Sequence, residues 1–326
     1  MVIVNYVDAT IDMRLQKVFY YPLLALLLLA NACIQGSTYA SDTSQEPMGL
    51  IVSTQWLSEH LGDPDLVVLD TTVLVQQDEN GNISSSSAHS DYESGHIPTA
   101  AYADLLGDLS DKSSSMDFVM PSPEQFRLAI GKLGVGNDSR VVLYSANYPA
   151  WAARLWWMLR WAGFDQVALL DGGLQAWVAE DRPLSMEPAT YPEREFTLSL
   201  RPEVIADQQE VLAAINNDEV SIIDAMNDAH YTGQFTMYDR PGHITSATNM
   251  PSTNLLDESG YFRSLDELEM MHDGNYPQRS ITYCGGGVAA STVAFIMYRL
   301  GYTDVAVYMG SLQEWTKNPE NPMTVP

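Results

Sequence analysis

Cys284 stands at the head of three glycines in the stretch TYCGGGVAAS, Thr282 to Ser291. A thiol in that setting is a candidate nucleophile, because a strand, a tight glycine turn and a helix N-terminus form a cup of inward-facing backbone N–H groups. Gly285, Gly286 and Gly287 are expected to give the backbone the freedom that such a curl needs. Val293, Ile296, Met297 and Leu300 follow at helical spacing, so the positive end of a helix dipole should point back at Cys284. Amides and dipole together favour thiolate over thiol, and the same cup would hold a persulfide or an oxyanion. Turns of this composition also open inert helices, so the loop alone leaves both readings open.

The elements that must position this loop occur twice. The segment SRVVLYSANYPAWAARLWWMLRWAGFDQVALLDGGLQAW (Ser139 to Trp177) aligns with SITYCGGGVAASTVAFIMYRLGYTDVAVYMGSLQEW (Ser280 to Trp315). Each has a β-rich run ending in tyrosine, a loop, an apolar helix ending at Gly163 or Gly301, a second β-rich run, and a glycine before LQ-x-W. A GHI turn precedes each, at His96 and His243. Strands alternating with helices predict an α/β fold with a mainly parallel sheet covered on both faces, and ligand sites at the carboxyl ends of the strands. The expected domains are 48–182 and 201–322, joined over 183–200, where prolines and charges replace apolar periodicity. The first copy's loop, SANYPAW, has neither cysteine nor glycine, so one domain is expected to keep the nucleophile and the other the scaffold. That divergence within a shared frame favours catalysis over packing.

Composition narrows the function further. Among 326 residues, 16 Lys+Arg against 42 Asp+Glu give a net charge of -26, which repels nucleic acid and anionic lipid. The six histidines show no ligand spacing for a metal. Residues 1–40 read as a targeting leader: Arg14 and Lys17 follow Met13, a second candidate start, and precede the apolar run Phe19 to Ala32. Cleavage after Ala32 or Ala40, or lipidation at Cys33 in LLANAC, would leave an exported protein, periplasmic or lipid-anchored in a bacterial envelope. Membrane contact is expected only through a lipid anchor at Cys33. A cut after Ala40 leaves Cys284 as the sole thiol, unable to form an internal disulfide.

Taken in order, GHIPTAAYADLLGDLSD, MPSPEQF, AARLWWMLRWAGFDQVALLDGGLQAW, GHITSATNMP and YCGGGVAA resemble a tandem-domain sulfurtransferase of the rhodanese family, from about Leu50 to Trp315. The resemblance implies two tandem rhodanese-like domains and a Cys284 thiolate that takes a sulfane sulfur from a small donor, thiosulfate or 3-mercaptopyruvate. The sulfur would be held as a persulfide, cradled by Gly285, Gly286, Gly287, Val288, Ala289 and Ala290, and passed to cyanide, a thiol or another acceptor, with no metal or organic cofactor. The uncharged loop resembles the mercaptopyruvate type, but Gly286 stands where that type has a serine. In the pattern DAMNDAHYTG, Met226 and His230 stand where the family has arginines, which leaves His230 and Arg240 as the expected donor-binding side chains. A related cysteine-loop phosphatase would need an arginine where Ala290 stands. The competing reading is a non-catalytic persulfide carrier or a redox-sensing thiol module. His96 and His243 are expected to be structural, since both domains have them. Asp224 is expected to orient Arg240 or the loop amides, or else to cap the turn that follows it.

Overall fold

A computed structural model describes residues 48–78, 83–271, 276 and 279–325. The expected leader, with Met13 and Cys33, lies outside the described residues. Both domains belong to one compact unit, Pro47–Pro326.

The first domain runs β1 (Ile51–Val52), α1 (Thr54–His60), β2 (Leu66–Asp70), β3 (Val73–Gln77), β4 (Ile83–Ser87), α2 (His89–Ser94) and β5 (Ala101–Tyr102). It continues with α3 (Pro123–Lys132), β6 (Arg140–Tyr144), α4 (Ala150–Trp161), β7 (Val167–Leu170) and α5 (Gly173–Ala179). The second runs β8 (Ile205–Ala206), α6 (Gln208–Ala214), β9 (Val220–Asp224), α7 (Asp228–Tyr231), β10 (His243–Ile244), β11 (Thr248–Asn249) and α8 (Leu265–Met271). Then follow β12 (Arg279–Tyr283), α9 (Val288–Arg299), β13 (Asp304–Tyr308), α10 (Ser311–Trp315) and β14 (Met323–Thr324).

The duplication is topological. The first domain's sheet has the order β1-β7-β6-β2-β5 and the second's β11-β9-β12-β13-β8, which is the same order read from the opposite edge. Every pairing in both sheets is parallel. Such strands must be covered on both faces, and alternate residues of β2 divide accordingly: Val67 and Leu69 enter the large central core, Leu66 and Val68 a second one.

The central core spans both domains, because α4 and α9 pack against one another and bring Trp156 against Phe295 at 4.9 Å. Both helices are apolar nearly all round, as helices buried on every side must be. Both also end alike. Gly163 (φ 88) and Gly301 (φ 93) adopt the left-handed conformation after the last turn. The next residues, Phe164 and Tyr302, donate back to Leu159 and Met297, closing a six-to-one hydrogen-bonded cap.

Segment 183–200 is no free tether. Ser185 pairs with His96 through two backbone hydrogen bonds of 2.9 Å, Tyr191 Oη donates to Thr99 O at 2.7 Å, and Phe196 is buried. The expected linker is a strap packed along the first domain.

Candidate active site

β12 delivers Cys284 to the carboxyl edge of its sheet, where α10 then ties it down. The Cys284 N–H donates to Ser311 Oγ at 3.1 Å, and its carbonyl accepts from Leu312 N at 3.0 Å. Gly285 O accepts from Gln313 N at 2.9 Å. The repeated LQ-x-W pattern thus has a physical use, since its first amides anchor the loop. In the first domain Leu174 N donates to Ser145 O at 3.1 Å in the matching place. Ser311 holds a strained φ of 51, and the position equivalent to it is Gly173, at φ 56. Serine at that position adds the hydroxyl that receives the Cys284 N–H.

The three glycines serve three purposes rather than one. Only Gly287 lies in the left-handed region, at φ 77, and a side chain there would meet Arg154 and the backbone of Met309. Gly285 makes room for Tyr238, whose hydroxyl would lie 1.7 Å from an added Cβ. Gly286 faces Gln313, with less severe crowding. The N–H groups of Gly285, Gly286 and Gly287 find no acceptor among the described residues, and the first N–H groups of α9 have none within the helix.

A buried acid supports the loop from below. Asp224 ends β9, accepts from Met226 N at 2.8 Å, and receives the Tyr283 hydroxyl at 2.7 Å. That hydroxyl in turn accepts from Ile244 N of the GHI turn at 3.0 Å. Tyr144 accepts from Ile97 N at 3.2 Å and bonds Asp70 in the first domain, so the frame itself is duplicated. Asp224 therefore caps the turn and holds Tyr283, and it contacts neither Arg240 nor the loop amides. The two histidines belong to the same frame: His96 stacks on Tyr92 at 3.9 Å and His243 on Tyr231 at 3.8 Å, each with Nδ1 close to that tyrosine's carbonyl oxygen.

Burial pushes the Asp224 carboxyl from 3.8 up to about 6. The folded state therefore holds an extra proton between those values. This contribution is fully present below the lower value and is lost as pH rises through the upper one. Urea unfolding should show wild-type stability falling relative to Asp224→Asn by about 3 kcal/mol between pH 4 and 8. A difference that stays constant over that range would mean the carboxyl is ionised in the fold.

Cys284, 2 % exposed, lies at the floor of a cavity of about 580 Å³ between the domains. Gly285, Gly286, Val288 and Ala289 join it there. Gly287 and Ala290 do not reach the cavity; Gly287 forms the turn, and Ala290 is fully buried with its carbonyl accepting from Thr282 Oγ1 at 3.0 Å. The first domain's loop, expected to be scaffold only, lends Asn147, Tyr148 and Trp151 to the wall. Its own cleft is about 100 Å³.

The two expected donor-binding side chains are not in this cavity, and both expectations need correcting. Arg240 donates to the carbonyls of Asn318 and Asn321, at 3.1 and 2.8 Å, fastening the C-terminal segment. His230 bonds Asn227 and sets its ring edge-on to Phe235, while burial lowers its pKa and so opposes the protonated form an anion would require. Met226, by contrast, does line the wall.

Two residues that sequence reasoning passed over take their place. Arg154 projects from α4 of the first domain to the back of the loop and is 2 % exposed. It donates to Gly286 O at 3.4 Å, to Met309 Sδ at 2.6 Å and to Phe118 O. No carboxylate among the described residues pairs with it, and burial pulls its guanidinium down to about 10, opposed by the charge of Cys284. Turning the Gly286 carbonyl toward Arg154 turns the Gly287 N–H of the same planar peptide away from it. The second residue is Tyr238, in the cavity wall against Gly285. Burial first, then the charges of Cys284 and Asp224, raise its pKa and keep the hydroxyl protonated.

Two parallel α/β domains of one topology, with a cysteine loop in the second alone, define a duplicated fold with a single thiol centre. The model of the rhodanese-like domain matches residues 53–180 and 207–318, and the chain belongs to this family. It is 33 % identical over 281 residues to 3-mercaptopyruvate sulfurtransferase of Escherichia coli K12, spanning 83 % of this chain and 96 % of that one. Identity to thiosulfate sulfurtransferase of Gallus gallus is 32 % over 277 residues, covering 81 % and 92 % of the two chains. The crystal structure of SseA from Escherichia coli, described as the rhodanese fold of 3-mercaptopyruvate sulfotransferases, is similar with a TM-score of 0.72 at 32 % identity, covering 81 % of this chain and 99 % of that one. The relatives named here transfer sulfur, and the expected family and fold are those found.

Proposed function

We propose that the protein moves a sulfane sulfur from a small donor, 3-mercaptopyruvate or thiosulfate, to a thiophilic acceptor through a persulfide on Cys284. The observation that carries this reading is the position of Cys284 at the cavity floor, beside three consecutive N–H groups with no acceptor among the described residues. The thiolate attacks the donor's sulfane sulfur, and the bond from that sulfur to the rest of the donor breaks. Sulfite leaves from thiosulfate; from 3-mercaptopyruvate the enolate of pyruvate leaves and takes up the thiol proton. The acceptor then attacks the outer sulfur, and the electron pair of the S–S bond returns to Cys284, a two-stage exchange of ping-pong type.

With no serine at Gly286, the Tyr238 hydroxyl, in the cavity wall against Gly285, is the donor we assign to charge developing on an enolate. Tyr238→Phe should lower kcat for pyruvate release from 3-mercaptopyruvate about 30-fold with little change in KM. Loading from thiosulfate, whose leaving group needs no proton, should slow less than about threefold. Equal losses with both donors would reduce Tyr238 to a wall residue.

We read residues 1–40 as an export leader, leaving the mature protein periplasmic or lipid-anchored through Cys33. Fractionation of cells expressing the full chain tests this, and an unprocessed cytoplasmic protein would end the reading.

A further inference from the structure

The cavity is far larger and more apolar than a small anionic donor requires. At about 580 Å³ it falls in the range that encloses a drug-sized ligand. Phe118, Tyr148, Trp151 and Tyr238 give it aromatic walls, and Met226 and Met237 add polarisable apolar surface. Its exposed lining is apolar as well: Val75 and Ile83 on the β3–β4 hairpin are 51 % and 39 % exposed, and Met237 38 %. Large apolar side chains left in water around one opening mark a surface kept for an apolar partner.

Charge points the same way. Among the described residues, Asp117 is the one charged residue lining the cavity, and Lys, Arg and His are absent from the lining. Arg154 acts from behind the loop and does not reach the cavity surface. A negative charge carried on the far side of a ligand, beyond the reach of the loop amides and of Arg154 behind them, would lose its hydration without gaining a cation. The chain's net charge of -26 also opposes its approach.

We propose that the sulfur acceptor is a low-molecular-weight thiol with an uncharged aromatic body, its ring lying among Phe118, Tyr148 and Trp151 and its sulfur meeting the persulfide on Cys284. This rests on the sulfur-carrying reading of Cys284 given above. The acceptor thiolate attacks the outer sulfur, a new S–S bond forms as the bond to Cys284 breaks, and the pair returns to the Cys284 sulfur. The products are an aryl-bearing persulfide and free enzyme, with no outside oxidant or reductant.

The test has two stages, both on the wild-type chain from residue 41 onward. Sulfur loading of Cys284 by 3-mercaptopyruvate or thiosulfate is read first by intact mass. Discharge of the loaded protein is then followed with benzyl mercaptan, 4-(mercaptomethyl)benzoate and 2-mercaptoethanol at equal thiolate concentration. Benzyl mercaptan should exceed 2-mercaptoethanol by about 30-fold in second-order rate constant, as burial of one ring predicts, and should exceed the benzoate by at least about tenfold. Met237→Glu, at the exposed rim, should narrow the ratio of benzyl mercaptan to 2-mercaptoethanol by at least about fivefold. Equal rate constants for the three thiols, a preference for the benzoate, or a ratio unmoved by Met237→Glu would overturn the acceptor assignment while leaving the persulfide reading intact. Failure to load sulfur would overturn both.

Discussion

Cys284→Ala should abolish turnover with either donor, by at least about 10⁴-fold, because Cys284 is the one thiol among the described residues lining the cavity. The fold should survive. The side chain is small and belongs to the buried central core, and removing one sulfur there costs on the order of 1 kcal/mol. Release of pyruvate, or of thiocyanate when cyanide is the acceptor, checks the first expectation and urea unfolding the second. Turnover that persists in the variant would exclude Cys284 as nucleophile. A variant still able to bind donor but unable to take up its sulfur is the expected phenotype. Turnover by the wild type is also what separates an enzyme from a persulfide carrier or a sensing thiol.

Arg154→Gln should produce a change that a packing role would not mimic. A unit charge behind a dry loop is worth about 2 kcal/mol to an anion on the other side at an effective dielectric of 20. Cys284 can be alkylated by iodoacetate, which is anionic, or by iodoacetamide, which is neutral. The ratio of the two rates removes any effect of the sulfur's own reactivity. It should fall about 30-fold in Arg154→Gln, and Arg154→Lys should keep it within about threefold of wild type. Loss of stability with an unchanged ratio would show that Arg154 only packs. The expected result would also give the first domain a reason to persist without a nucleophile: it supplies the cation beneath its partner's loop.

The duplication was legible because local rules repeat in it. Gly163 and Gly301 close the same helix cap, LQ-x-W presents the same anchoring amides, and each GHI turn donates to the tyrosine that ends a strand. All of these are short-range devices that leave a mark at fixed spacing. Cys284 was legible for the same reason, since strand, glycine turn and helix are contiguous in the chain.

Residues whose use depends on a distant surface were not legible. Arg154 reads as a lone arginine in AARLWWM, and in a helix apolar all round it must find partners; which partners depends on α4 crossing α9. Tyr238 lies between α7 and β10, in a stretch with no periodicity to place it. A hint lay in the glycines, because Gly285 is needed for the space Tyr238 fills rather than for its φ. Arg240 and His230 were assigned by their order in the chain, and order does not fix direction. The Arg240 guanidinium meets the carbonyls of Asn318 and Asn321, some eighty residues on, before it can meet a donor.

The central claim is that sulfur passes through Cys284 as a covalent intermediate. Its most direct test is intact mass followed by peptide mapping, after the protein has been incubated with 3-mercaptopyruvate or thiosulfate and freed of donor. The account predicts the mass of one added sulfur atom, located on the peptide holding Cys284 and lost stoichiometrically when a thiol acceptor is added. Product formation with no sulfur retained on that peptide, or an equal gain in Cys284→Ala, would contradict it.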